Sequence, residues 1–278
     1  MKRLVIIRGA GEIASAIALR IYRAGCRVLM LEEEYPQSIR RTVSFASAIY
    51  EGSALVERTE CFRVESVKEA EKALKNEQLV IMVDPEAACL KKLEPRVLVD
   101  AIYAKKNTGT TMDMAPLTVA IGPGFAAGYD VDVVIETALG HTLGAIIHNG
   151  QAMPEKTRSL YARSHIMTAP LNGRLEYGHA VGMYVKKGEF LGNLIADNAT
   201  IRLEAQIDGV LRGMLHDQCP VEAGMEIAEI DAAATVEDCF SLSDKVRCIS
   251  GGVLEEIMAY FTEQEKTSSK FSFFKRKN

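Results

Sequence analysis

Hydrophobic positions along this chain fall first into short unbroken runs and later into alternating ones. Residues 4–7, Leu-Val-Ile-Ile, form an apolar run too short for a helix, which predicts a strand buried on both faces. After a glycine turn, Ile13, Ile17, Ala18, Ile21 and Ala24 recur at helical spacing and stop at Gly25, and a second apolar run follows over 28–31. The pattern continues with a short helical stretch at 43–50, a charged surface helix at 66–75 and an apolar strand at 79–83. A helix at about 86–94 and apolar strands at 97–99, 117–121 and 131–135 complete it. This alternation predicts an α/β domain over residues 1–150, a Rossmann-like doubly wound parallel sheet.

The pattern changes after Gly150. From Ser164 onward, short apolar segments alternate with glycine turns, which predicts a smaller all-β unit over 164–232. Within it, residues 185–192 and 220–227 form two V-x-x-G half-repeats, and the unit resembles the barrel-sandwich hybrid of biotinyl and lipoyl domains. The hairpin between the halves, 196–200, reads Ala-Asp-Asn-Ala-Thr, so the lysine an acyl carrier needs is missing. Residues 233–265 read as a C-terminal helical segment with an apolar face at 252–261. The tail, 266–278, mixes lysines with Phe271, Phe273 and Phe274 and reads as a flexible end or, alternatively, a hook for a partner or membrane surface.

Composition narrows the classes. With 278 residues and 48% hydrophobic content the chain can bury a large core, and a net charge of −4 gives no basic field for nucleic acid. Six cysteines without a C-x-x-C pair predict reduced thiols in a cytoplasmic protein, with no zinc or disulfide framework and no metal site. The N-terminus lacks the pattern of a secretory signal, and no apolar run reaches the ~18 residues of a membrane span.

Candidate chemistry gathers at the carboxyl ends of the predicted strands. Gly9, Gly11 and Ala14 make a G-x-G-x-x-A turn between strand and helix, so the backbone donors of Gly9, Ala10, Gly11, Glu12 and Ile13 are placed to cradle a pyrophosphate. Glu32 closes the second strand, either as a ribose acceptor or as part of a solvated run with Glu33 and Glu34. Arg40 and Arg41 are candidates to clamp anionic oxygens, or lie on a solvated turn. Asp84 and Asp100 end strands, as rim groups or as caps. Lys105 and Asn107 can add cationic and amide donors to the rim. The loop Gly122-Pro123-Gly124-Phe125 is stiff and exposes backbone, and Glu136 and His141 follow the strand after it.

Taken together these residues resemble a known family. Arg8-Gly9-Ala10-Gly11, Arg40-Arg41 followed by Val43-Ser44-Phe45, Val99-Asp100-Ala101 with Lys105-Lys106-Asn107, Gly122-Pro123-Gly124-Phe125, Ile135-Glu136-Thr137 with Gly140-His141, Ser243-Asp244-Lys245 and Gly251-Gly252-Val253-Leu254 are similar to the selenium-dependent molybdenum cofactor biosynthesis family of the YqeB type. The resemblance extends, more distantly, to xanthine dehydrogenase accessory proteins. It implies a maturation factor for selenium-dependent molybdenum hydroxylases that holds molybdenum cofactor (molybdopterin) or NAD(P) at the rim. The partners it implies are a hydroxylase client enzyme and a selenium or sulfur delivery protein. Two other functions remain open at this point: an NAD(P)-dependent oxidoreductase acting on a small carbonyl or pterin, with His141 or Lys105 as proton donor, and a non-catalytic scaffold that docks a partner through the β unit.

Overall fold

The protein, a computed structural model describing residues 3–154 and 164–275, is built around one nine-stranded sheet. Its elements in order are β1 (Leu4–Arg8), α1 (Glu12–Arg23), β2 (Arg27–Glu32), α2 (Ser47–Glu51), β3 (Ser53–Val56), β4 (Thr59–Arg63), α3 (Val67–Lys75), β5 (Leu79–Val83), α4 (Leu90–Leu93), β6 (Val97–Asp100) and β7 (Thr118–Ile121). The short β8 (Ala126–Ala127), β9 (Val133–Ile135), β10 (Ile146–Ile147) and β11 (Gly150–Gln151) follow. Sheet order is β10-β9-β7-β6-β1-β2-β5-β4-β3.

Alternation along each central strand sorts its side chains to opposite faces. Val5 and Ile7 of β1 and Val28 and Met30 of β2 pack on one side with Ile17 and Ile21 of α1, while Leu4, Ile6, Leu29 and Leu31 pack on the other with Leu74 of α3 and Leu93 of α4. Helix α1 begins at Gly11, whose extended backbone needs no side-chain cap, and ends before Gly25, where φ is +84°. The first face is completed by the long C-terminal helix α5 (Asp244–Lys275), which lays Val246, Ile249, Val253, Ile257 and Phe261 into the same cluster.

Between body and helix lies the β unit. Its strands are β12 (Ser164–Thr168), β13 (Arg174–Tyr177), β14 (Tyr184–Val185), β15 (Phe190–Ala196), β16 (Ala199–Glu204), β17 (Gly209–Met214) and β18 (Glu226–Asp231). They form two antiparallel sheets, β12-β18-β17-β14 and β13-β15-β16, around Val185, Leu191, Leu194, Leu211, Leu215, Ile227 and Ile230. The unit sits directly on the body: Met214 donates its backbone N–H to Ile39 O at 2.8 Å, and a Cβ at Gly213 would lie 2.7 Å from that carbonyl.

This architecture corrects the expected fold class. The large sheet is mixed, because the β3–β4 hairpin and the β9–β10 pair run antiparallel at its two edges. It is not doubly wound either: the passage from β6 to β7 carries only a 3-10 turn at Met112–Met114 and that from β7 to β9 only β8, so the uncovered face is closed by α5 from the far end of the chain. The β unit consists of separate four- and three-stranded sheets rather than the expected biotinyl-like hybrid. Helix α5 continues through Lys275, since no glycine or proline follows Gly252 and Glu, Gln, Lys and Ser can all extend a helix; residues 276–278 lie outside the described residues.

Candidate functional site

The strand-end rim exists as a place, but its groups are engaged with one another. Glu32 reaches back from the end of β2 and accepts from the Ala10 N–H at 2.6 Å and the Glu33 N–H at 2.9 Å. Glu12 accepts from Arg40 at 2.7 Å and from Ser243 at 3.0 Å, while Arg40 makes a two-pronged contact to Glu229 of the β unit at 2.7 and 2.9 Å. Asp100, buried, accepts from Thr110 at 2.6 Å and lies 3.5 Å from Arg8. Burial pushes its carboxyl up, against the pull of Thr110 and Arg8. Asp84 accepts from the Ala88 and Cys89 N–H groups, Glu136 from those of Thr137, Ala138 and Met153, and Asn107 folds onto Gly109 and Thr110. Ile13 is half-buried, and His141 and Lys105 are exposed on their loops.

The glycines serve the same internal packing. A Cβ on Gly9 would meet Ala101 O at 2.9 Å, and one on Gly124 would meet Lys106 N at 2.6 Å. One on Gly122 would meet Tyr103 at 2.8 Å, and Phe125 beside it is buried while Pro123 is half-buried. These loops lean on each other, and the close approach their glycines permit is backbone to loop. Of Gly9, Gly11, Gly122 and Gly124, only Gly11 faces open space.

A different place is open. Between the body and the β unit lies a cleft of about 600 Å³, lined by Arg41, Thr42, Ser47, Glu51, Ala54 and Leu55 from the body and the loop 178–181 from the β unit. That volume suits a small molecule. Arg41 is fixed by donating Nε to Met214 O at 2.7 Å, and Ser47 donates to Arg41 O at 3.2 Å. Thr42 donates to Cys239 O. Opposite them, His179 Nε2 lies 3.0 Å from Glu189, and its Nδ1 is buried without a hydrogen-bond partner among the described residues. Glu189 is held below the usual carboxylate range, first by the Lys186 N–H and then by His179.

Behind the cleft, His216 stacks on Tyr50 with ring centroids 4.1 Å apart, and its Nε2 lies 3.7 Å from Glu51. Burial, followed by the nearby Arg41 charge, holds His216 below its ordinary pKa. Arg41 and Glu51 give the cleft one basic and one acidic side chain. Of these residues only Arg41 is legible as a candidate from sequence. Thr42, Ser47, Glu51 and His179 carry no motif, and folding alone brings 42–51 against 178–181. Among the described residues no group of three or more His, Cys, Asp or Glu side chains is arranged to hold a metal.

Fold and site therefore define a mixed-sheet α/β protein with an attached antiparallel β unit and a charged cleft between them. No known family model matches the chain. It is 42% identical over 260 residues to the uncharacterized protein YqeB of Escherichia coli (strain K12), covering 92% of this chain and 47% of that protein, so the chain spans about half the length of the curated relative it matches. Among solved structures it is similar to a succinylglutamate desuccinylase/aspartoacylase from Rhodobacter sphaeroides (27% identity, 26% of this chain and 23% of that one, TM-score 0.22). It is also similar to a protein of the same description from Shewanella amazonensis (23% identity, 32% and 26%, TM-score 0.24).

The likeness to YqeB agrees with the YqeB-type resemblance, and nothing in it speaks of molybdenum hydroxylases. The expected functions are corrected here. The rim meant for a pyrophosphate is occupied by the chain's own Glu32, Glu12 and Glu229. Maturation factor, oxidoreductase and docking scaffold are all set aside, together with molybdenum cofactor and NAD(P). No helix among the described residues is long and apolar enough to cross a membrane.

Proposed function

We propose that the protein binds a small zwitterionic molecule of amino-acid type in the cleft between its α/β body and its β unit. The observation that carries this reading is the pairing of Arg41 with Glu51 on one wall of a cleft of about 600 Å³. A guanidinium receives a carboxylate through its planar fork, and a carboxylate receives an ammonium group. Ser47 and Thr42 add hydroxyls, His179 faces them from the β unit, and Ala54, Leu55 and Val181 offer apolar surface to a side chain. All six cysteines are free thiols, which supports a reducing, cytoplasmic setting.

The test is thermal denaturation against a panel of free amino acids and short peptides, followed by calorimetric titration of any that raise Tm. A ligand present at about 100 times its Kd stabilises by about 2.7 kcal/mol, a readily measured shift. Arg41→Ala and Glu51→Gln should each weaken binding at least tenfold. A panel without a saturable shift, or a shift equal in both variants, refutes the assignment.

A further inference from the structure

We propose that a second groove, formed where the end of α1 meets the start of α5, binds a small molecule with an anionic head on an apolar body. This groove of about 370 Å³ is lined by Leu19, Arg20 and Arg23 from α1, Ala24 just after it, Glu57 from the β3–β4 turn, and Leu242, Arg247 and Leu254 from the C-terminal segment. It shares no lining residue with the first cleft.

Three guanidiniums here face one carboxylate. Glu57 and Arg58 form the tip of the hairpin with φ of +42° and +66°, a left-handed pair that turns the strand in two residues and delivers Glu57 into the groove. There it accepts from the Leu242 N–H at 3.2 Å and from Arg247, and lies 3.9 Å from Arg23. Arg23 is pinned further by Thr59 at 3.1 Å, and Arg247 by Leu242 O at 3.0 Å. Glu57 thus orders two arginines while neutralising the charge of one. Arg20 lies on the same wall, half-buried, and its guanidinium has no hydrogen bond or ion pair among the described residues.

A half-buried guanidinium with no counter-ion beside a second, pre-ordered one is a receptor for a carboxylate or phosphate. The floor beneath is apolar. Leu19 and Leu242 are buried and Leu254 is half-buried, so the anion's remainder meets hydrocarbon, and the volume admits a small molecule rather than a helix. The head and the body of such a ligand are therefore recognised separately.

Calorimetric titration of the intact protein with hexyl phosphate, hexanoate and inorganic phosphate tests this. At least one of the two amphipathic probes should bind saturably and at least tenfold tighter than inorganic phosphate, because each methylene buried on the apolar floor favours the bound state. Whichever binds more tightly identifies the head as ester phosphate or carboxylate. Arg20→Ala removes no internal hydrogen bond or ion pair of that side chain, so the variant should keep a Tm close to wild type and lose at least tenfold in affinity, while Arg20→Lys should recover part of it. Three outcomes overturn the proposal: no saturable binding up to about 10 mM of any probe, affinity unchanged in Arg20→Ala, or tight sedimentation with phosphatidic acid vesicles that Arg20→Ala abolishes, which would assign the groove to a membrane headgroup instead.

Discussion

Glu32 shows how a residue chosen as a ligand-binding group comes to serve the fold. Burial pushes its carboxyl up to about 7 from an ordinary 4.5, and the hydrogen bonds from Glu33 and Ala10 only partly oppose this. Between pH 4.5 and about 7 the native protein holds a proton that the unfolded chain has released, so this group makes stability fall as pH rises through that window, with the whole cost present above it. The difference is on the order of 3 kcal/mol. Glu32→Gln, neutral and able to accept one of the same bonds, should remove that fall: measured by urea denaturation, the stability gap between variant and wild type should widen in the variant's favour from pH 4.5 to 8. A gap independent of pH would contradict the assignment. Residue identities at the rim were legible in the sequence; their partners were not. Arg40 finds Glu229 across 189 residues of chain, and no local pattern announces a contact of that separation.

Among elements, the apolar runs of β1, β2, β5, β6 and β7 were legible because strands buried on both faces need hydrocarbon at every position. The β3–β4 hairpin was not. Its turn is Glu57-Arg58, two residues that seldom take positive φ, in place of the Asn-Gly or Asp-Gly that announces such a turn. The glycine turns were recognised as unusual, yet their purpose lay in neighbours that sequence does not show. This gives a contrast between two glycines. Gly124 has φ of +108° and lies against the Lys105–Lys106 backbone, so Gly124→Ala should destabilise by more than about 2 kcal/mol. Gly11, with φ of −64° and open space around it, should accept alanine for less than about 1 kcal/mol, the loss of a favourable N-cap residue. Denaturant midpoints of the two variants, compared side by side, decide the point. Similar losses would mean that close packing of the loops is not what requires these glycines.

At the scale of the whole molecule, the change of hydrophobic pattern after Gly150 marked where the sheet gives way to the β unit, but not how the two parts meet. They meet through Arg40, which joins Glu12 at the start of α1 to Glu229, a carboxylate buried to 2% exposure on β18. Arg40 and desolvation pull on Glu229 in opposite senses, and the result is a carboxyl held below its ordinary range. Arg40→Ala should cost about 3 kcal/mol, because it strands a buried charge. Adding Glu229→Gln to that variant should return more than about 1 kcal/mol, seen as non-additivity in a double-mutant cycle of chemical denaturation. Strict additivity would show that the two side chains do not act as a pair.

The covering of the sheet by α5 also orders events in time. A ribosome delivers β1 and α1 well before α5, yet Val5, Ile7, Ile17 and Ile21 share a core cluster with Val246, Ile249, Val253, Ile257 and Phe261, which are synthesised only after the entire β unit. The β unit pairs its strands within 68 residues and can close while the chain is still growing. The α/β body cannot. During translation its greasy flank stays bare until α5 emerges, so the nascent chain depends on whatever shields that flank in the meantime.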